Sequence, residues 1–142
     1  MFKITFLTTL VTSSLYVLGA PTGVAPVEHG VNATTFDKRV THVGRATWFH
    51  AGLGNCGYWD NDDTPIVAVS TAMYKQGGNC NQWVELINTA NGNKVYAKMR
   101  DSCPPCGYDD VDLSPNAFQA LAPLSQGVST VSWHFMNRNW SP

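Results

Sequence analysis

The stretch Asp101–Phe118, DSCPPCGYDDVDLSPNAF, decides the fold because it joins a strand end, a cysteine-bounded turn and a capped helix. The residues before it, Lys94–Arg100, alternate apolar and polar side chains, which predicts a strand with one buried face and one solvent-exposed face. Asp101 therefore stands at the end of a predicted strand. Ser114 followed by Pro115 is the pattern of a helix N-cap with proline at the first helical position.

The four cysteines of the chain, Cys56, Cys80, Cys103 and Cys106, allow three disulfide pairings. Pro104-Pro105 restricts the turn between the last two, which favours a local Cys103–Cys106 bond and leaves Cys56 to pair with Cys80. The longer bond would close a loop of about 25 residues, worth roughly 3–4 kcal/mol. A zinc site made of four cysteines usually has two close pairs, and a redox Cys-x-x-Cys usually opens a helix. Neither pattern is present, so we expect no metal.

The aspartates of the opening stretch allow two interpretations. If the proline turn folds the chain back, Asp112 approaches Asp101, and two carboxylates at one cleft can act as acid and base. The same side chains could instead cap turns and the N-terminus of the helix, where negative charge is favoured. Spacing alone leaves both interpretations open. The segment lacks the longer ligand series of a calcium loop.

The N-terminal third of the chain predicts secretion. Residues 1–19 have an early Lys3 and a short apolar stretch that ends in small residues, as in a signal peptide. Residues 20–39 are predicted to be a propeptide or disordered arm that ends in the dibasic pair Lys38-Arg39. Residues 40–142 would form the folded domain. We expect an extracellular protein with oxidised cysteines.

The predicted domain shows no strong charge bias. Residues 40–142 hold six Lys or Arg and eight Asp or Glu, without a run of either sign. This excludes the basic footprint of a nucleic-acid-binding protein, and the apolar N-terminal stretch is too rich in hydroxyls for a membrane span. We expect no nucleic-acid or membrane partner, and a monomer.

The domain is predicted to be mainly β. About six short strands and one or two short helices, without a long helix, favour a small closed barrel, since closure removes exposed edges. Ser70 could cap one helical turn, and Asn91-Gly92 signals a tight hairpin turn. The strands placed by pattern are Gly44–His50, Ile66–Ser70, Gln82–Asn88, Lys94–Arg100 and Gly127–Met136.

The order of several short motifs resembles a known family. They are GRATWF, NCGYWD, IVAVS, GGNC, VYAKMRDSCPPCG, DVDLSPNAF and VSWHF, and they span about residues 43–136. The chain is similar to the double-psi β-barrel domain of expansins, barwin-like proteins, RlpA-like proteins and family-45 endoglucanases. It resembles most the fungal single-domain loosenins and riboflavin aldehyde-forming enzyme-like proteins. The resemblance implies a six-stranded double-psi β-barrel with an open polysaccharide groove.

The resemblance also implies functional residues. Asp112 corresponds to the aspartate required for wall loosening, and Asp101 and Thr47 would line the groove beside it. Trp83 and Trp133 are expected in the core. Aromatic side chains can stack on the apolar faces of sugar rings; the candidates are Trp48, Tyr58, Trp59 and Tyr108.

The function implied is expansin-like. The protein would bind cellulose, chitin or a related glucan of the cell wall and loosen it with little or no hydrolysis. No second, carbohydrate-binding domain is expected, so affinity would rest on the groove and be weak. No cofactor is expected, since a flavin fingerprint is absent from the sequence. The alternatives are a non-catalytic binding module (lectin, protease inhibitor or secreted effector) and a weak glycosidase or lytic transglycosylase.

Overall fold

The computed structural model describes residues 39–142, so the predicted signal peptide and most of the predicted propeptide lie outside the described residues. Six strands and two α-helices follow one another along the chain, with a 3-10 turn at Leu124–Gln126. The strands are β1 (His42–Trp48), β2 (Ile66–Ser70), β3 (Trp83–Asn88), β4 (Lys94–Cys103), β5 (Val111–Leu113) and β6 (Ser129–Phe135). The helices are α1 (Thr71–Lys75) and α2 (Pro115–Leu121).

The strands close into a barrel in the order β1-β5-β2-β4-β3-β6. The β1/β5 and β2/β4 pairs are parallel, and the other four pairs are antiparallel. The predicted mainly β fold, a six-stranded closed barrel, is confirmed.

The core follows the period-2 alternation of the strands. Val84 and Leu86 of β3 point inward and are fully buried, while their neighbours are partly exposed. Trp133 of β6 and Phe118 of α2 are the largest fully buried side chains. Because α2 contributes Ala117, Phe118 and Leu121 to the same cluster, the helix completes the barrel core.

Both helices begin where the sequence predicts. The Ser70 hydroxyl accepts a hydrogen bond from the Met73 N–H, and the Ser114 hydroxyl accepts one from the Ala117 N–H. At the other end of α2, the Leu121 carbonyl accepts bonds from three side-chain amides of the β3–β4 turn, those of Asn88, Asn91 and Asn93. The turn that reverses the chain therefore also supplies partners for a helix end that would otherwise lack them.

The structure departs from the predicted elements at three places. β4 continues three residues past Arg100 to Cys103, so Asp101 lies inside the strand and not at its end. β5 was not placed individually, because three residues are too few to show a period. The expectation that Trp83 belongs to the core was wrong, since it is partly exposed on the outer face of β3, whereas Trp133 is in the core as expected.

The two disulfides have the pairing that the sequence favours, Cys56–Cys80 and Cys103–Cys106. Two glycines are required by close approach of the backbone. A Cβ atom at Gly44 would overlap the Asp109 carbonyl, and one at Gly54 would overlap the Arg100 carbonyl. The loops that follow β1 and β4 are thus packed directly on strand backbone, next to the groove described below.

Candidate functional site

One row of paired residues crosses four neighbouring strands and organises the candidate site. Thr47 of β1 pairs with Asp112 of β5, Asp112 pairs with Ala68 of β2, and Ala68 pairs with Asp101 of β4. Directly paired residues present their side chains on the same face of a sheet. The neighbours Ala46, Val67 and Val111 point into the core, so the row lies on the outside of the barrel.

An irregularity in the β2/β4 pairing brings Asp101 into this row. Val67 pairs with Met99, but the next residue, Ala68, pairs with Asp101, so Arg100 is the extra residue of a bulge. Without that bulge Ala68 would face Arg100 instead. Bulges often re-aim side chains next to functional sites.

The row forms the floor of a shallow groove, which occupies two adjoining hollows of about 200 and 190 Å³. Both are lined by Asp112, Cys103 and Pro105. Arg45 and Thr47 lie on one side, and Phe49, Ala68 and Asp101 lie on the other. Ala68 lies on this floor between the two aspartates of the row, and its small side chain is buried.

Asp112 has the chemistry of a carboxyl group that can hold a proton. Burial raises its pKa above the ordinary value, and hydrogen bonds from the Thr47 hydroxyl and the Leu113 backbone oppose that shift in part. The Thr47 hydroxyl donates to Asp112 Oδ1 at 2.7 Å, which also fixes the orientation of the carboxyl group. A carboxyl group with a raised pKa is suited to share or donate a proton.

Asp101 is held by backbone groups. Its Oδ1 accepts hydrogen bonds from the N–H of Asn55 at 2.9 Å and from its neighbour Ser102 at 2.7 Å. Asn55 belongs to the loop that the Cys56–Cys80 disulfide anchors. Asp101 therefore joins this loop to the groove, and its second oxygen is free to meet a ligand.

The acidic residues of the β1–β2 loop have partners outside the row. Asp60 forms a buried ion pair with Arg100, whose guanidinium also stacks on the Tyr58 ring at 4.0 Å. Asp62 accepts hydrogen bonds from His50 and from the Ala51 backbone, and these lower its pKa. Neither carboxylate lines the groove hollows.

The predicted aromatic residues lie in different surroundings. Trp59 is 79% exposed and pairs across a short bridge with Leu53, which is 66% exposed. Tyr58 and Tyr108 are each about half exposed on loops beside the groove. None of these three side chains lines the groove hollows, and their role in stacking on sugar rings stays a prediction.

Trp48 is placed differently, on the face of β1 opposite Thr47. It packs against the core, and its indole N–H donates to the Leu124 carbonyl at 3.1 Å. The structure does not bring this side chain to the groove. Phe49, the next residue, lines the groove with Asp101 and Asp112, although the sequence reasoning missed it. Its position two residues after Thr47 was the available signal, since period 2 places both on one face.

Residues 39–142 also lack two other kinds of functional feature. Among them no three His, Cys, Asp or Glu side chains come together as metal ligands, and no helix has the length and apolar character needed to cross a membrane. Another hollow, of about 290 Å³, lies beside Tyr74, Gly78 and Cys80, away from both aspartates of the row.

Comparison with known proteins gives relatives of two kinds. No protein-family model matches the chain. Expansin-like protein 3 of Dictyostelium discoideum is 33% identical over 105 residues, which are 66% of this chain and 31% of that protein. The papain inhibitor of Streptomyces mobaraensis is 32% identical over 101 residues, 66% of this chain and 71% of that protein. This chain thus matches less than a third of the expansin-like relative's length.

Solved structures give the same two kinds of relative. An expansin variant of Clavibacter michiganensis, solved in complex with cellohexaose, superposes with a TM-score of 0.64 and 27% identity, over 72% of this chain and 54% of that one. The Streptomyces papain inhibitor superposes with a TM-score of 0.61 and 30% identity, over 69% of this chain and 96% of that one.

Proposed function

The chain belongs to the expansin-like family of double-psi β-barrel proteins, and on this premise we propose that it is a secreted protein that binds cell-wall polysaccharide. It binds the polymer in the groove across β1, β5, β2 and β4. There it loosens contacts between chains with little or no hydrolysis. The similarity to an expansin solved with cellohexaose supports a β-linked polysaccharide, such as cellulose or chitin, as the polymer.

The observation that carries this proposal is the row Thr47–Asp112–Ala68–Asp101. It sets two carboxyl groups on either side of a small residue in an open groove. Two strand spacings separate Asp101 from Asp112, about 10 Å between Cα atoms. That span suits successive hydroxyl or bridging oxygens of a polymer better than a single small ligand.

Asp112 acts on the polymer through its proton. Its raised pKa lets the carboxyl group share or donate a proton to a hydroxyl or glycosidic oxygen. Thr47 orients that group, and Asp101 accepts a hydrogen bond from a neighbouring sugar hydroxyl. Replacement of hydrogen bonds between polymer chains by bonds to the protein then weakens the contact between those chains. Phe49 offers an apolar ring surface in the same groove.

The surroundings of the other carboxylates support the absence of substantial hydrolysis. A glycosidase needs a second carboxylate that acts as base or nucleophile at the same sugar. Asp101 already accepts two backbone N–H bonds. Asp110 lines the groove beside Asp112, but it pairs with Arg45. In the β1–β2 loop, Asp60 pairs with Arg100, and Asp62 pairs with His50. No carboxylate of the β1–β2 loop stands opposite Asp112 to activate water.

The proposal is tested by the substitution Asp112→Asn, which keeps the shape of the side chain and removes its titratable carboxyl proton. Wild type is expected to weaken cellulose or chitin fibres in an extension assay while it releases almost no reducing sugar, and the variant is expected to have no such effect. Asp63→Asn is the matched control, because Asp63 is an exposed aspartate outside the groove. Equal weakening of the fibres by wild type and by Asp112→Asn would contradict the role of Asp112.

A second function, inhibition of a papain-like protease, is favoured by one feature of the β1–β2 loop. Leu53 and Trp59 form an exposed apolar pair at the tip of a loop that is fixed by backbone bonds and by the Cys56–Cys80 disulfide. Preorganised loops bind with a smaller loss of conformational entropy. The papain inhibitor relative, of which this chain covers most, gives this candidate its protease class.

Inhibition assays with papain separate the two functions. If the loop inhibits, Leu53→Ser and Trp59→Ser should each weaken inhibition at least tenfold, while Asp112→Asn should leave it unchanged. The absence of inhibition by wild type at micromolar concentration would eliminate this candidate and leave the groove proposal untouched.

A further inference from the structure

The side of the barrel opposite the groove has a different surface. We call it the rear face, and it consists of outward side chains of β3 and of the first half of β4 (Lys94–Lys98), together with Trp140 of the C-terminal segment. β3 lies three strands from β5 in the closed barrel, so this surface looks away from Asp112. Its members are Trp83, Glu85, Lys94, Tyr96, Lys98 and Trp140.

Aromatic rings and lysines alternate across the rear face. Lys98 pairs with Trp83 across the strands, and its ammonium lies 5.0 Å above the indole ring. The Lys94 ammonium lies 5.1 Å from the centre of the Tyr96 ring. Trp140 packs on Tyr96 with 4.7 Å between ring centres, and it meets Trp83 edge-on. The result is a ridge of rings with a cation at each end.

The charge of this face is opposite to that of the groove. All seven aspartates of residues 39–142 lie in the β1–β2 loop or between Asp101 and Asp112. Glu85 is the acidic side chain of the rear face, and its charge is compensated by the Tyr96 hydroxyl at 2.6 Å and by Lys94 at 3.4 Å. Lys98 has no acidic partner among the described residues. Arg138 lies beyond the edge of the face, where it donates to the Gly78 carbonyl.

We propose that the rear face is a second binding site, for a polysaccharide that carries carboxylates, such as a polymer of uronic acid units. Lys98, which has no acidic partner among the described residues, pairs with one carboxylate, and Lys94 attracts a second while it also contacts Glu85. The aromatic rings contact the apolar faces of the sugars. This site is independent of the groove and does not require that the groove loosens anything. Occupied together, the two sites would join a neutral glucan to an acidic polymer.

The spacing of the cations favours a polymer over a small anion. Lys94 and Lys98 are four residues apart on one strand, so their Cα atoms are about 13 Å apart. A single carboxylate or phosphate cannot reach both. A nucleic-acid interface makes roughly six to ten contacts between basic side chains and phosphates, and two lysines are far fewer. Between the lysines the surface is aromatic, which suits sugar rings and distinguishes the site from a simple cation patch.

Affinity electrophoresis of the purified protein through gels containing polygalacturonic acid tests the proposal, with neutral hydroxyethyl cellulose as the comparison polymer. At about 0.01 M salt, wild type should be retarded by polygalacturonic acid, and at about 0.15 M the retardation should fall because charges are screened. Lys94→Gln and Lys98→Gln should each weaken the association about two- to fivefold. Trp140→Ala should also weaken it.

Lys75→Gln is the matched control, because it removes the same charge from the exposed end of α1. It should leave the retardation unchanged. Equal loss in all three lysine variants would mean that only net charge matters and would overturn the site.

Polyglutamate tests whether the site requires sugar rings. If the protein bound polyglutamate as tightly as polygalacturonic acid, the proposal would also be overturned. A wild type that polygalacturonic acid does not retard at low salt would overturn it as well, even if it weakens cellulose. If polygalacturonic acid retards wild type and Asp112→Asn equally while wild type does not weaken cellulose, the groove proposal fails and the rear face stands.

Discussion

The groove and the rear face are opposite sides of one barrel, and they differ in the regularity of their strand pairing. The rear face rests on β4-β3-β6, where antiparallel pairs run in unbroken register over five residues each. The groove rests on short β5, on two parallel pairs and on a bulge at Arg100. Regular pairing gives an unbroken sheet surface that is stable. Irregular pairing gives a recess lined by Asp101 and Asp112, where we propose that the polymer binds.

This difference predicts that the rear sheet contributes most of the stability and that the groove contributes the loosening activity. The rear sheet buries Val84, Leu86, Val131 and Trp133 completely on its inner face. The groove side contains a half-buried carboxyl group whose pKa is raised by burial, which is unfavourable for its ionised form. Four substitutions test this division, in order of decreasing expected effect.

Leu86→Ala removes a fully buried side chain from the inner face of the rear sheet. Because the cavity is surrounded by strand backbone and cannot collapse, the free energy of unfolding should fall by about 2–5 kcal/mol. Chemical denaturation measures this loss. If the loss were under about 1 kcal/mol, the rear sheet would not be the main source of stability.

Replacement of Cys103 and Cys106 together by alanine opens the turn that walls the groove. The bond closes a loop of only four residues, so the chain-entropy model gives a loss of about 2 kcal/mol. Cello-oligosaccharide binding should weaken as well, because Cys103 and Pro105 line both hollows of the groove. Denaturation and titration of the same variant separate the two effects. Unchanged binding would mean that this wall does not contact the ligand.

Ala68→Leu fills the floor of the groove between Asp101 and Asp112. Binding of cello-oligosaccharides should weaken about tenfold, equivalent to about 1.4 kcal/mol, because the larger side chain occupies the ligand's space. Ser132→Leu is the matched control, since Ser132 lies on the outer side of β6 and faces away from the groove. Calorimetric titration of both variants with cello-oligosaccharides measures the difference in affinity. An equal loss of affinity in both variants would contradict the location of the site.

Asp112→Asn should have the smallest effect on stability, and the effect should be a gain. A carboxyl group whose pKa is raised in the folded state stabilises the fold below its unfolded pKa and loses that contribution as pH rises through the folded pKa. At pH 7 the variant avoids the buried charge and should melt higher than wild type, whereas near pH 3 the difference should vanish. Melting curves at both pH values measure it. A lower melting temperature at pH 7 would show that the ionised carboxylate stabilises the fold.

The local signals of the sequence were sufficient for most of the fold. Ser114-Pro115 predicted the start of α2, and Asn91-Gly92 predicted the reversal between β3 and β4. The proline turn favoured the pairing of Cys103 with Cys106. Each of these depends on residues close together in the chain, and the ordered family motifs supplied the barrel.

The site was harder to predict because it depends on pairings between distant segments. The bulge at Arg100 breaks the alternation of β4, so the sequence pattern ended that strand before Asp101. β5 exists because β1 and β2 pair with it, not because its three residues favour a strand. Phe49 is an exception, because it follows Thr47 by two residues and the alternation along the chain was enough to place it, and not Trp48, beside Thr47.

The most direct test of the central claim is a heteronuclear NMR titration of the protein with cellohexaose. The account predicts that the largest amide shifts occur at Thr47, Ala68, Asp101 and Asp112, and that they disappear in Ala68→Leu. The amides of β3 should not shift. Shifts confined to the β1–β2 loop or to the rear face, with the row of four residues unchanged, would contradict the claim that this groove binds the polymer.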